Sequence, residues 1–196
     1  MSDPAKNPYA ASTTTPGGTF PLRQGPGTIG AAATTGTVIT LALIGGVVMI
    51  TGILAFLILS DPPEDQSLFR FDGDVMIFLG IGYLFFFGAA MVALVMRGVM
   101  KGQAAAKLRA ADEDLPQPLE ANSPLPRSGQ AFLGAVATYT LIGQALLEGP
   151  AVINAIFMFL DNNFAHAIPI ALGIVGIAMQ IPTAGRIKTL MENAKL

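Results

Sequence analysis

The chain alternates between long apolar blocks and short polar segments. The blocks run from Thr37 to Leu59, Val75 to Met96, Ala131 to Leu160 and Ala165 to Gly185. None shows the strict apolar–polar alternation of a barrel strand. A bilayer core about 30 Å thick takes roughly 20 apolar residues of α-helix to cross, and helices satisfy their own backbone hydrogen bonds in lipid. Each block therefore predicts a transmembrane helix. The expected fold is all-α: a polytopic membrane protein with a four-helix transmembrane bundle and a disordered N-terminal tail.

The polar segments divide the rest of the chain. Residues 1–36 are rich in Pro, Gly, Thr, Ala and Ser, too poor in apolar surface to order themselves, and predict a flexible tail. Residues 60–74 form an acidic loop. Residues 97–130 begin as a helical extension of the second span, with Arg109 and Glu113 spaced to meet on one helix face. Prolines at 116, 118, 124 and 126 then predict an extended linker. Residues 186–196 place Ile187, Leu190, Met191 and Ala194 at helical spacing, the pattern of a short amphipathic helix lying on the inner membrane surface.

Composition agrees with this class, since 52% of residues are hydrophobic and only 12% charged. The distribution of charge adds orientation. With four spans, the two termini and the 97–130 segment share one side, which holds Lys6, Arg23, Arg97, Lys101, Lys107, Arg109, Arg127, Arg186, Lys188 and Lys195, whereas the other holds only Arg70. Lysine and arginine gather on the cytoplasmic side of short loops. Both termini are thus expected in the cytoplasm, in a multi-pass protein of the cell membrane, and the bias favours an even number of spans. The first block lacks a small-residue cleavage pattern at its end, so the first helix is expected to stay inserted. The absence of cysteine excludes disulfides, thiolate metal sites and cysteine nucleophiles.

The third block carries the most informative polar residues. Glu148, Gly149 and Pro150 interrupt it, within QALLEGPAVIN. Its residues 131–160 would extend about 45 Å as helix, and Glu148 lies about 18 Å before its end at Leu160, near mid-bilayer. An ionised carboxylate is costly there, so the neutral acid is the expected form. Thr140, Gln144 and Glu148 recur every four residues and predict a polar stripe facing the bundle, with Gln144 able to hydrogen-bond the carboxyl group. Pro150 removes a backbone donor and clashes with the preceding turn, giving a kink, while Gly149 admits a neighbouring helix. Small residues elsewhere, including Gly45, Gly46, Gly80, Gly82, Gly88, Gly173 and Gly176, predict places of close helix approach. A re-entrant hairpin at Gly149-Pro150 is the competing arrangement.

The run Ile142-Gly143-Gln144-Ala145-Leu146-Leu147-Glu148, with Pro150 and apolar residues up to 160, resembles the ion-carrying helix of the rotary ATP synthase c subunit. The resemblance implies that Glu148 is the carboxylate that binds the transported ion and Gln144 a neighbouring polar group. It covers this segment alone, and the first span lacks the repeated alternate glycines of the c-subunit inner helix.

Two functions follow as expectations. One is a structural or accessory membrane protein in which Glu148, Gln144, Thr140 and Asn154 form a polar helix-packing lock. The other is binding or translocation of a proton or cation through Glu148, as intramembrane carboxylates often serve. No catalytic residue, metal site or cofactor is expected. His166 is the sole histidine and reads as an interfacial residue without partners, and no GxSxG, HExxH, Walker or GxGxxG pattern occurs. Gln180 and Pro182 read as a packing contact and a kink. The partners open to such a chain are the bilayer, a second copy of itself or another subunit of a membrane complex, and nothing points to nucleic acid.

Overall fold

The computed structural model describes residues 27–61, 67–71, 73 and 75–195. The tail up to residue 26 and residues 62–66, 72 and 74 of the acidic loop, with Glu64, Asp65, Asp72 and Asp74, lie outside the described residues. All regular elements among the described residues are helical: α1 (Ile29–Ser60), α2 (Val75–Arg109), α3 (Arg127–Leu160), a short 3-10 turn (Phe164–His166), α4 (Ala167–Ala178) and α5 (Ala184–Lys195).

Three of these helices, α1, α2 and α3, are long and apolar enough to cross a membrane. The fourth apolar block differs from the span expected over 165–185. Its helix α4 holds 12 residues, about 18 Å of rise, and the chain leaves it before Pro182. A proline ring clashes with the carbonyl four residues earlier, here that of Ala178, the last residue of α4. Pro150 breaks nothing comparable. The helix α3 runs through it without interruption from Arg127 to Leu160, so the hairpin arrangement is not adopted.

The helix α3 is central. α1, α2 and α4 all pack on it, and α1 and α2 do not approach one another. α4 runs back down α3: Ile170 packs with Ala151 and Ala155, then Ile177 with Leu147 and Phe86. Phe86 is buried while Phe85 and Phe87 are exposed, so α2 faces both the bundle and its surroundings.

At the end where α3 begins, a separate core forms beyond the apolar blocks. It joins Ile29, Leu108, Leu119, Leu133, Ile187 and Met191. Three sequence expectations change here. Residues 29–36 are helical rather than tail: Thr28 caps α1 by accepting from the Ala31 amide (3.2 Å), and Ile29 and Ala33 are buried in this core. The proline-rich segment is non-helical, yet Leu115, Leu119 and Leu125 anchor it in the same core. The amphipathic α5 turns Ile187, Met191 and Ala194 into the protein rather than onto a membrane surface. Each such side chain withdrawn from water contributes roughly 1.5–3 kcal/mol, which a solvated linker would forgo.

The expected Arg109–Glu113 pair also changes, because α2 ends at Arg109. Arg109 donates its Nε hydrogen to the Ala194 carbonyl (3.2 Å), and Glu113 accepts from the Ser128 amide (2.7 Å) at the start of α3. That bond, more than any nearby charge, holds the Glu113 carboxyl below its ordinary value. Its stabilisation is therefore fully present above the ordinary carboxyl range and lost as pH falls through the lowered value. The protection of the Ser128 amide, its exchange relative to the intrinsic rate at each pH, is expected to fall on acidification through that range, and to be lower in Glu113→Ala at every pH above it. Unchanged exchange in the variant would remove Glu113 as the cap.

Candidate functional site

Polar side chains on α3 meet three different fates. Gln144, 1% exposed, donates from Nε2 to the Thr40 hydroxyl of α1 at 2.6 Å, and Thr40 in turn donates to the Gly36 carbonyl at 2.8 Å. Gly36 is itself the seat of Pro182, whose ring occupies the space a Cβ would take. Gln144 and the buried Thr140 border a cavity of about 210 Å³ between α1 and α3, otherwise lined mainly by apolar groups such as Ile39, Leu141 and Val136.

Glu148 does not join this group. It is half-buried, and among the described residues it has neither a hydrogen bond nor an ion pair. The expected Gln144–Glu148 bond is replaced by Gln144–Thr40. Helix geometry gives the reason: four residues at 3.6 per turn advance the stripe by about 40° per step. Thr140 and Gln144 face the α1–α3 groove, and by Glu148 the stripe has rotated toward its rim. Gly149 is exposed, with no atom within 4 Å of where its Cβ would lie, so no helix of this chain approaches it.

Asn154 and His166 form a denser network at the other end of α3. Both are fully buried. The Asn154 amide donates to the Gly82 carbonyl of α2 (3.0 Å) and to the Pro150 carbonyl (2.9 Å). Its Oδ1 then faces His166 Nδ1 at 2.9 Å, and His166 Nε2 lies 3.1 Å from Asp161 Oδ2. An amide oxygen only accepts, so His166 carries its proton on Nδ1. Nε2 and Asp161 consequently share a second proton between them. Burial pushes the Asp161 carboxyl up, while the neighbouring imidazole pulls it down. The loop that closes this end is tied by Asn163, whose side chain pairs with both backbone groups of Arg70 (3.2 and 2.8 Å). The Tyr83 hydroxyl of α2 donates to the Ala165 carbonyl (3.1 Å).

His166 is thus not the partnerless interfacial residue its sequence position suggests. The signal was faint: Asp161 and Asn163 lie in the short loop just before it, but only the return of α4 against α3 sets its ring between Asn154 and Asp161. Gly82 makes room for them, since a Cβ there would strike Asn154 Oδ1 and come within 3.2 Å of His166 Nδ1. Of the other glycines expected to mark close approach, Gly173 and Gly176 do so against Ala151 and Leu147, whereas Gly45, Gly46, Gly80 and Gly88 face open space. No group of three or more acidic or histidine side chains able to hold a metal ion occurs among the described residues.

Fold and site together define an all-helical protein of membrane type, whose long apolar helices are joined by buried polar side chains. No protein-family model matches the chain, and no curated protein or solved structure matches it either.

Proposed function

We propose that this chain is a structural or accessory subunit of the cell membrane, without catalytic activity, that crosses the bilayer four times with both termini in the cytoplasm. The charge bias supports the orientation, with ten of the eleven basic residues on the inner side. In this topology α4 supplies the outer part of the fourth crossing and residues 179–185 the inner part. Arg97 and Arg186, the first charged residues after the second and fourth blocks, then come to the same inner interface.

The observation that carries the reading is how the buried amides are used. Gln144 and Asn154 direct their hydrogens to α1 and α2, so the intramembrane polar groups hold helices together. Glu148 has no such partner among the described residues and stands beside the open Gly149. It serves as the lock toward another copy or another subunit, whose helix fits against Gly149 and satisfies the carboxyl group.

Substitution of Glu148 tests this. Glu148→Gln is expected to keep the native assembly size in mild detergent. Glu148→Leu is expected to lose it while changing the stability of the isolated chain by less than about 0.5 kcal/mol. Wild-type assembly in Glu148→Leu sinks the reading.

A second reading, in which Glu148 binds or carries a proton or cation as its likeness to the c-subunit helix implies, is favoured by the same lack of an internal partner. It requires pH-dependent labelling of Glu148 by a carbodiimide and loss of ion flux in Glu148→Gln. Slow, pH-independent labelling with wild-type flux excludes it.

A further inference from the structure

Where α2 leaves its apolar block, α5 begins. Between them, against α3, lies a small pocket lined by Arg97, Tyr139, Thr140, Gln180, Pro182 and Arg186. Two guanidinium groups face one pocket, and neither forms an ion pair with a described residue. Arg186 spends one donor on the Met179 carbonyl (2.7 Å), and Arg97 makes no hydrogen bond within the described chain. Like charges brought together without an acid between them are an arrangement that an anion stabilises.

Among otherwise largely apolar walls, two further polar side chains fit that anion. Tyr139, 3% exposed, makes no hydrogen bond among the described residues, which leaves its hydroxyl as a further donor. The Gln180 side chain donates to the Gly176 carbonyl, and its Oε1, packed against Gly143, is buried without a hydrogen-bond partner. The enclosed volume is about 10 Å³, room for a single oxygen atom. The rest of the ligand must lie outside it.

We infer that Arg97, Arg186 and Tyr139 form a site for a phosphate group, which seats one oxygen between the guanidinium groups and leaves its ester or remaining oxygens at the rim. Arginine forks match phosphate geometry bidentately, and headgroup phosphates lie at the depth where the first cations after an apolar block come to rest. A phospholipid headgroup and free phosphate share this chemistry. Placement at the interface rests on the proposed membrane topology; the pairing of the two arginines does not.

The experiment uses the whole chain in maltoside micelles, which contain no phosphate. Phosphatidic acid, phosphatidylcholine or inorganic phosphate is added, with bound ligand read by native mass spectrometry and stability by thermal unfolding. Phosphatidic acid is expected to stay bound and raise Tm, with phosphatidylcholine doing so more weakly. Arg97→Gln and Arg186→Gln are each expected to weaken it about tenfold, the loss of one charge-assisted contact, and Tyr139→Phe by a smaller factor. Arg127→Gln, outside the pocket, should bind as wild type. An equal shift with inorganic phosphate, lost in the same variants, supports the site and assigns it a soluble ligand. Should Arg97→Gln not fold, Arg97→Lys keeps the charge and loses the fork, and must still weaken binding. Equal retention of phosphatidic acid by wild type and every folded arginine variant, or no binding of either ligand by wild type, overturns the proposal, while the assembly test at Glu148 is unaffected by either result.

Discussion

Gly82→Ala is expected to destabilise the protein by about 2–3 kcal/mol, far more than a single methyl group usually costs in a helix. The added carbon collides with Asn154 Oδ1 and presses on His166 Nδ1. Asn154 cannot swing away freely, because its amide hydrogens are held by the Gly82 and Pro150 carbonyls and its oxygen by the histidine. Either α2 moves off α3 or the network opens and leaves buried polar groups unpaired. Alanine is a better helix former than glycine by up to about 1 kcal/mol, so Gly80→Ala, whose Cβ meets nothing within 4 Å, should be neutral or slightly stabilising. Reversible unfolding in mixed micelles measures both, and equal effects at the two glycines would refute the crowding at Gly82.

The second large effect belongs to Asn154 and His166 themselves. Asn154→Ala removes the cross-helix bond to Gly82 and orphans the buried His166 Nδ1–H; a loss of about 2–4 kcal/mol is expected from the missing bonds and the space left behind. His166→Ala should lose a similar amount, since it orphans Asn154 Oδ1 and leaves Asp161 without its proton-sharing partner. The two residues touch, so the losses should not add. A double-mutant cycle is expected to give a coupling of about 1–2 kcal/mol. Additive losses would mean that the ring and the amide act independently, and the histidine would then be merely space-filling.

These effects concern a site of which the sequence displayed only one member. Asn154 stood out as a polar residue in an apolar block, but its partner could not be read from α3. The partner comes from the far side of the Asp161–Asn163 turn, and the acceptor from α2, 72 residues away along the chain. Glu148 stood out far more, as the lone carboxylate of its block, yet it bonds nothing among the described residues. A residue's cost in lipid shows that it needs an explanation, while the rotation of a helix decides which neighbour supplies one. Forty degrees per four residues separate Gln144, which reaches Thr40, from Glu148, which hydrogen-bonds no described residue.

The inner end shows the same limit. Ile187, Met191 and Ala194 lie on one face of α5 by spacing alone, and spacing cannot tell a membrane surface from a protein core. The folded chain offers Leu108, Leu119 and Leu133 as that core, and burial against them fills the apolar face. Residues 29–36 became helical for a related reason: weak helix formers such as Thr34, Thr35 and Gly36 order when Ile29 and Ala33 find a place to pack and Pro182 settles on Gly36.

What the sequence by itself determined is the helical, membrane-type character of the chain and the places where apolar runs begin. Both follow from local quantities, length and hydropathy, that need no partner to be known. The tertiary structure alone decided the α3-centred packing, the burial of α5 and the Asn154–His166–Asp161 network. Each of these depends on which helix faces meet, and that is set by packing between residues far apart in the chain rather than by the pattern within any one segment.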